Sequence, residues 1–144
     1  MRPRMIESLL RTSAMSSDFT VDVLSQLLDV RSTQLREIIH FEFHMSPHRL
    51  IETIRLAQAI NLIRQSLKSN TPKDFYEISE KIGYRGTKTF RAAFERRIGL
   101  TPSGLRELMA TSKNIVQVSH HIIDSLWTTT GKKRPVKRCG VLGS

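Results

Sequence analysis

An internal repeat is the sequence feature that most constrains the fold of this chain. Adding 55 to the residue numbers of one half superposes it on the other without a gap, so that Leu35 falls on Phe90 and Leu50 falls on Leu105. Each half carries apolar residues at the spacing typical of one face of a helix. Since repeated units pack as similar copies, the repeat predicts an all-α protein made of two related helical units.

The clearest copy of the unit runs from Asp74 to Arg106. Its apolar spacing predicts a first helix up to Ile82, which Gly83 ends because glycine adopts the left-handed conformation at low cost. A second helix is predicted over Thr87–Ile98, with basic residues on the face opposite its apolar residues. Two short helices joined by a glycine turn, the second with a basic outer face, indicate a helix-turn-helix.

The first half shows the same pattern. Thr20 is the predicted N-cap of one helix, and a second helix is predicted to end near Phe43. The apolar face predicted for the first of these helices consists of Val23, Leu24, Leu27 and Leu28. Ser46 and Pro47 then suit the N-cap and N1 positions of a longer helix, which runs to about Leu67 and connects the two units.

The second unit resembles the second helix-turn-helix of the AraC/XylS family of bacterial transcription regulators. The matching positions are Ile82-Gly83-Tyr84, Phe90, Ala93-Phe94, Gly99, Pro102 and Arg106. The resemblance covers roughly residues 3–109 and implies a DNA-binding domain of seven helices, in which a long linker helix joins two helix-turn-helix units. The apolar spacing also predicts a helix over Pro3–Thr12.

On this basis, the DNA-binding domain is predicted to span residues 1–112. The first helix-turn-helix lies at about 20–43, the linker helix at about 47–67 and the second helix-turn-helix at about 74–98.

Residues 113–144 form a C-terminal extension beyond the family pattern. Apolar residues at helical spacing predict an extra helix over Asn114–Trp127. The segment 131–144 is predicted to be a disordered basic tail, because its KKRPVKR run has no apolar pattern. The run resembles a nuclear localisation signal, and it also suits a basic arm on DNA or a solvated tail.

The charge of the chain favours polyanionic partners. The formal net charge is +10, and the pI is about 10.5, which points to nucleic acid first and anionic membrane second. No apolar run approaches the roughly 20 residues of a membrane span, and Glu7 and Arg11 interrupt the apolar start, so neither a span nor a signal peptide is predicted. The single Cys139 excludes an internal disulfide and fits a reducing cytosol. The expected location is therefore cytoplasmic and, for a DNA-binding regulator, nucleoid-associated.

The resemblance implies that the outer face of the second helix in each unit enters a major groove. The base-reading candidates are Thr33, Gln34, Arg36 and Glu37 in the first unit, and Thr87, Lys88, Arg91 and Ala92 in the second. Lysine and arginine donate to guanine, and glutamate accepts from cytosine. The phosphate-contact candidates are Arg85, Arg96, Arg97, Lys132, Lys133, Arg134, Lys137 and Arg138.

Four departures from the family pattern qualify these assignments. Ala92 stands where relatives often carry a base-contacting arginine, so that contact is missing. Glu37 replaces a common arginine and repels phosphate, which leaves open that the first unit is a scaffold whose recognition helix has drifted. His44 replaces the usual glycine, and Arg85-Gly86 replaces the usual serine cap and acidic residue.

Neither a cofactor nor a metal is predicted. His40, His44 and His48 lie four residues apart, but Pro47 starts a new helix between the last two, and no cysteine completes a coordination shell. The sequence also lacks a nucleophile motif, a glycine-rich phosphate loop and paired carboxylates, so enzymatic activity is not expected.

The sequence predicts a bacterial transcription regulator that binds specific double-stranded DNA as a monomer and reads two adjacent major-groove segments. One alternative is a protein-interaction module whose extra helix docks on a partner such as RNA polymerase, and another is a non-specific basic DNA-binding protein. About 18 residues precede the first unit and about 35 follow the second, too few for a sugar-sensing barrel. The chain is therefore either a small member without a sensor or a piece of a larger protein. Its operator, any effector, and the choice between activation and repression stay open.

Overall fold

A computed structural model of the chain describes residue 8 and residues 15–16, 18–68 and 74–128. This part contains seven helices and no strand, which confirms the predicted all-α fold. The helices are α1 (Val21–Leu28), α2 (Ser32–Phe43), α3 (Pro47–Lys68), α4 (Phe75–Lys81), α5 (Thr87–Ile98), α6 (Pro102–Thr111) and α7 (Ile115–Trp127). The helix predicted at Pro3–Thr12, apart from Ser8, and the predicted disordered tail 131–144 lie outside the described residues.

Local sequence signals set the ends of these helices. The Thr20 hydroxyl accepts a hydrogen bond from the Val23 amide at 3.2 Å and caps α1, as predicted. The Ser46 hydroxyl accepts from the Arg49 amide at 3.2 Å at the start of α3. Gly83, with φ 96°, lies in the turn after α4, and Gly99, with φ 88°, ends α5. These left-handed conformations are the reason for glycine at both positions.

The repeat has two registers rather than the single gap-free register predicted. The second helices α2 and α5 each have 12 residues and match at the predicted offset of 55. The N-caps of the first helices, Thr20 and Asp74, lie 54 positions apart instead. So do Ser25 and Ser79, whose hydroxyls each donate to the carbonyl three residues earlier. The reason is that one more residue separates Ser79 from the start of α5 at Thr87 than separates Ser25 from the start of α2 at Ser32.

This one-residue shift moves the buried face of α1. Leu27 was expected on the apolar face opposite Ile82 of the other unit, yet Leu27 is 55% exposed. Leu24 is fully buried and occupies the place that Ile78 takes in α4. The inward assignment of Leu27 is therefore wrong, because α1 must be aligned on Leu24 and not on Val23.

Two hydrophobic clusters form the core, and α3 contributes to both. Leu50, Ile51 and Ile54, from its first half, pack with α1 and α2. The rest of α3, from Leu56 to Ile63, packs with α4, α5, α6 and α7. None of the helices that the structure describes is long and apolar enough to cross a membrane.

The extra helix predicted from the sequence is α7. The Asn114 side chain caps it by accepting from the Gln117 amide at 3.1 Å. The helix packs along α3, and Leu126, near its end, is 1% exposed.

Candidate nucleic-acid interface

The outer face of α5 is fixed by the aromatic residues on its inner face. Phe90 and Phe94 are fully buried and meet edge to face, with 5.5 Å between ring centroids. Lys88, Arg91 and Ala92 consequently lie exposed on the opposite side, where the sequence placed them. A long amine, a guanidinium and a small methyl group side by side form a surface that can enter a major groove and donate hydrogen bonds there.

The outer face of α2 is built the same way but carries different chemistry. Leu35 and Ile39 are fully buried and turn the opposite face to solvent. That face exposes the four base-reading candidates of the first unit, Thr33, Gln34, Arg36 and Glu37. It holds one basic and one acidic side chain among the four, so its potential is weaker than that of α5.

A cavity of about 280 Å³ lies beside the α5 face, at the first turns of α5 and α6. Its lining consists of Phe75, Thr87, Phe90, Arg91, Thr101, Pro102 and Ser103. The half-buried Thr87 is thus recessed next to Arg91 and is not on the open surface. The Thr101 hydroxyl accepts from the Gly104 amide at 3.0 Å and lies 3.3 Å from the Ser103 hydroxyl. Hydroxyls and a guanidinium in one concavity suit a phosphate oxygen.

The two adjacent arginines at the end of α5 share a carboxylate but differ in burial. Arg97 is only 6% exposed, and its Nη1 donates to Glu52 Oε1 at 2.7 Å. Its Nη2 donates to Thr53 Oγ1 at 2.9 Å and to the Leu126 carbonyl at 3.2 Å. Arg96 binds the other oxygen of Glu52 while its side chain is 62% exposed. These contacts suit Arg97 to a structural role rather than the predicted phosphate contact, and leave Arg96 as the exposed cation.

Arg49 belongs to the same cluster and was missed by the sequence analysis. It lies exposed one turn before Glu52 on α3. Partial desolvation lowers the pKa of Arg49, and the positive charges of Arg97 and Arg96 lower it further, against the opposing effect of Glu52. Three guanidinium groups around one carboxylate leave a net positive patch where α3 meets α5. Only the tertiary contact of α3 with α5 creates this patch, so no local pattern in the sequence announces it.

Arg85, in the turn before α5, keeps an exposed position. Its Nη2 lies 3.3 Å from Asp18 Oδ1, and both side chains are at least three-quarters exposed. Such pairs contribute only about 0–1 kcal/mol, so a phosphate can replace Asp18 at little cost.

Tyr84 supports the start of α5 from the same turn. Its ring lies 5.8 Å from that of Phe90, and the Arg55 guanidinium lies 5.5 Å from its centroid. Burial raises the pKa of Tyr84 to about 12, and the charge of Glu52 adds to this effect. The phenol is therefore neutral at physiological pH.

The structure thus gathers the second-unit candidates on one side of α5 and the first-unit candidates on one side of α2. The predicted phosphate contacts in the tail, Lys132, Lys133, Arg134, Lys137 and Arg138, lie outside the described residues.

Comparison with known proteins agrees with this architecture. A family model described as a helix-turn-helix domain matches residues 24–108. The chain is similar to the C-terminal domain of AraT, a response regulator from Geobacillus stearothermophilus, with 25% identity and a TM-score of 0.68 over 78% of this chain and 90% of that one. It is also similar to the C-terminal domain of the two-component response regulator yesN from Fusobacterium nucleatum, with 25% identity and a TM-score of 0.58 over 69% and 92% of the two chains. No curated protein matches the sequence significantly.

Proposed function

The chain belongs to the AraC-type family of helix-turn-helix domains, which are DNA-binding transcription regulators, and from that membership we propose that it recognises one specific DNA site with α2 and α5 together. The observation that carries the proposal is the outer face of α5, where Lys88 and Arg91 are exposed opposite the buried Phe90 and Phe94. In this arrangement the first turns of α5 enter the major groove and its two basic side chains donate to base edges.

Positioning of the protein on the duplex is assigned to the other basic side chains. Arg85 and Arg96 contact phosphates on either side of α5, and Arg49 extends this contact from α3. The basic tail adds further phosphate contacts that depend on salt and not on sequence. Arg97 is left out of this set because it is buried against Glu52.

The two outer faces differ, which has a consequence for the DNA site. α2 presents Gln34 and Glu37 where α5 presents Thr89 and Ala92 at the offset of 55. A monomer carrying two unlike faces should bind a non-palindromic site. If the two helices meet consecutive turns of the duplex, they lie roughly 34 Å apart and the site covers about 20 base pairs.

The proposal is tested by selecting bound duplexes from a random pool and then measuring variants on the selected site. Lys88→Ala should weaken one half of the site by about 1–3 kcal/mol, and Arg36→Ala should act on the other half. Lys68→Ala, which removes an exposed charge at the far end of α3, is the matched control and should leave both halves unchanged. The selected duplex should bind at least roughly 10³-fold more tightly than a scrambled one.

Two results would contradict the proposal. A palindromic site bound by a dimer, with both variants acting equally on both halves, would exclude the two-faced monomer. A scrambled duplex bound as tightly as the selected one would point to non-specific DNA binding.

A protein partner such as RNA polymerase is the second candidate for the α2 face. The observation that favours it is Phe41, which is 77% exposed on α2 at the position that corresponds to Arg96 on α5. An exposed aromatic ring beside Glu37 suits a protein surface better than a phosphate backbone. If Arg36→Ala changes neither half of the DNA site, this face is assigned to a protein contact and α5 alone reads DNA.

A further inference from the structure

The C-terminal end of α7 touches both helix-turn-helix units, although it lies beyond the matched residues 24–108. Leu126 is 1% exposed in the hydrophobic cluster of the second unit, together with Phe90 and Phe94. The next residue, Trp127, packs against the cluster of the first unit. Two consecutive residues of one helix thus belong to different cores.

The same two residues reach the C-terminal ends of the two helices that we assign to DNA. The Leu126 carbonyl accepts a hydrogen bond from Arg97, in the last turn of α5, at 3.2 Å. The Trp127 ring lies 6.4 Å from that of Phe43, the last residue of α2, with the ring planes at 39°. These contacts lie at the opposite ends of the two helices from their first turns.

Arg97 extends this connection through α3. Its Nη2 donates to the hydroxyl of Thr53, which is fully buried and donates in turn to Met45 Sδ at 3.8 Å. Met45 belongs to the core of the first unit. The end of α5 is therefore joined to the first unit along two routes, one through Leu126 and Trp127 and one through Thr53.

We propose that Leu126 and Trp127 act as a positioning element, the α7 bracket, which fixes the placement of α2 relative to α5. A single linker helix can bend, so α3 alone sets the spacing of the two units less rigidly than α3 and the bracket together. Its use in recognition rests on the proposed function, since a fixed placement selects DNA whose two segments have one particular spacing. Rigid placement before binding also lowers the entropy cost of contacting both segments at once.

The placement itself is measured without DNA. Spin labels on Gln34→Cys and Lys88→Cys, in the 144-residue chain carrying Cys139→Ser, report the distance between the two outer faces by double electron–electron resonance. The parent should give one narrow distribution, and Trp127→Ala should broaden or shift it. Val116→Ala removes an exposed apolar side chain from the same helix and is the matched control, which should leave the distribution narrow. Trp127→Leu, which keeps apolar volume but loses the ring contact, replaces Trp127→Ala if circular dichroism shows that variant to be unfolded.

The role in recognition is measured on the selected duplex and on one with two base pairs inserted between its segments. The parent should prefer the original spacing, and loss of the bracket should reduce that preference by roughly 10-fold, within the usual range for coupling between sites. Affinity for a duplex carrying only the α5 segment should stay unchanged. An unchanged distance distribution in the folded Trp127 variant would overturn the proposal. A parent with no spacing preference would refute the two-segment function instead, and the distance measurement would still test the bracket.

Discussion

Removal of the Arg97 guanidinium should show how strongly α5 is held against the linker helix. Arg97→Gln breaks the ion pair with Glu52 and weakens the hydrogen bonds to Thr53 and to the Leu126 carbonyl. Loss of one partner of a buried ion pair costs about 3–5 kcal/mol. Here Glu52 is 20% exposed and keeps Arg96 as a second partner, which moderates the loss. The free energy of unfolding should therefore fall by about 2–4 kcal/mol.

Arg96→Gln provides a matched control on the same carboxylate. The Arg96 side chain is 62% exposed, so its pair with Glu52 should contribute no more than about 1 kcal/mol. Urea denaturation followed by circular dichroism measures both variants. A double-mutant cycle with Glu52→Gln separates the pair from other effects, and it should give a coupling energy above about 1 kcal/mol for Arg97 only.

Arg97→Gln should cause the larger loss of folding stability, whereas Arg96→Gln should cause the larger loss of DNA affinity. Arg96→Gln removes a proposed phosphate contact and should lower affinity on specific and scrambled duplexes alike, whereas Arg97→Gln should act mainly through stability. Equal losses of stability in the two variants, to within about 0.5 kcal/mol, would refute the assignment of Arg97 as a buried tie.

Further predictions concern pH, backbone strain and salt. The pKa of Tyr84 is about 12 in the folded protein and about 10 in the unfolded chain. Its contribution to the free energy of unfolding is therefore fully present below about pH 10, and it is lost as the pH rises from about 10 towards 12. Urea denaturation at several pH values should show this loss of stability in the parent. Tyr84→Phe should reduce the loss, and Tyr76→Phe should reduce it less, because the Tyr76 phenol is exposed. His44 has φ 58°, so His44→Gly should raise the melting temperature through a gain of roughly 0.5–1 kcal/mol, whereas Gly99→Ala should lower it. Deletion of residues 132–144 should flatten the salt dependence of DNA binding measured by fluorescence anisotropy, and a loss of sequence preference with unchanged affinity for random DNA would contradict this.

The helices and their ends were predictable because local rules determine them. Thr20 and Ser46 cap helices through hydrogen bonds that span only three residues. Gly83 and Gly99 adopt left-handed conformations, as expected for glycines that follow a helix. At the end of α2 the expected glycine is replaced by His44. His44 still ends the helix, but it does so in a strained left-handed conformation, with φ 58°.

The burial of particular side chains was less predictable because it depends on contacts between distant segments. Leu27 is apolar and at helical spacing, but a one-residue difference in register between the two units places it outside the core. Arg96 and Arg97 are neighbours of the same type, and only the approach of Glu52 and Leu126 decides which of them is buried. Arg49 was overlooked for the same reason, since its significance comes from α5 and not from α3.

The repeat itself explains why the fold was easier to infer than the site. In α2 and α5, which match at the offset of 55, the residues that pack inward stay apolar in both copies, as Ile39 and Phe94 do with full burial. Residues that face outward have diverged, and the sharpest case is Phe41 against Arg96, both of them largely exposed. Packing constrains the first class in the same way in each unit, whereas the second class is constrained only by what each face contacts. The differences between the copies therefore carry the functional information. Under the proposed function, the exposed basic side chains Lys88, Arg91 and Arg96 make α5 the main source of electrostatic attraction for DNA.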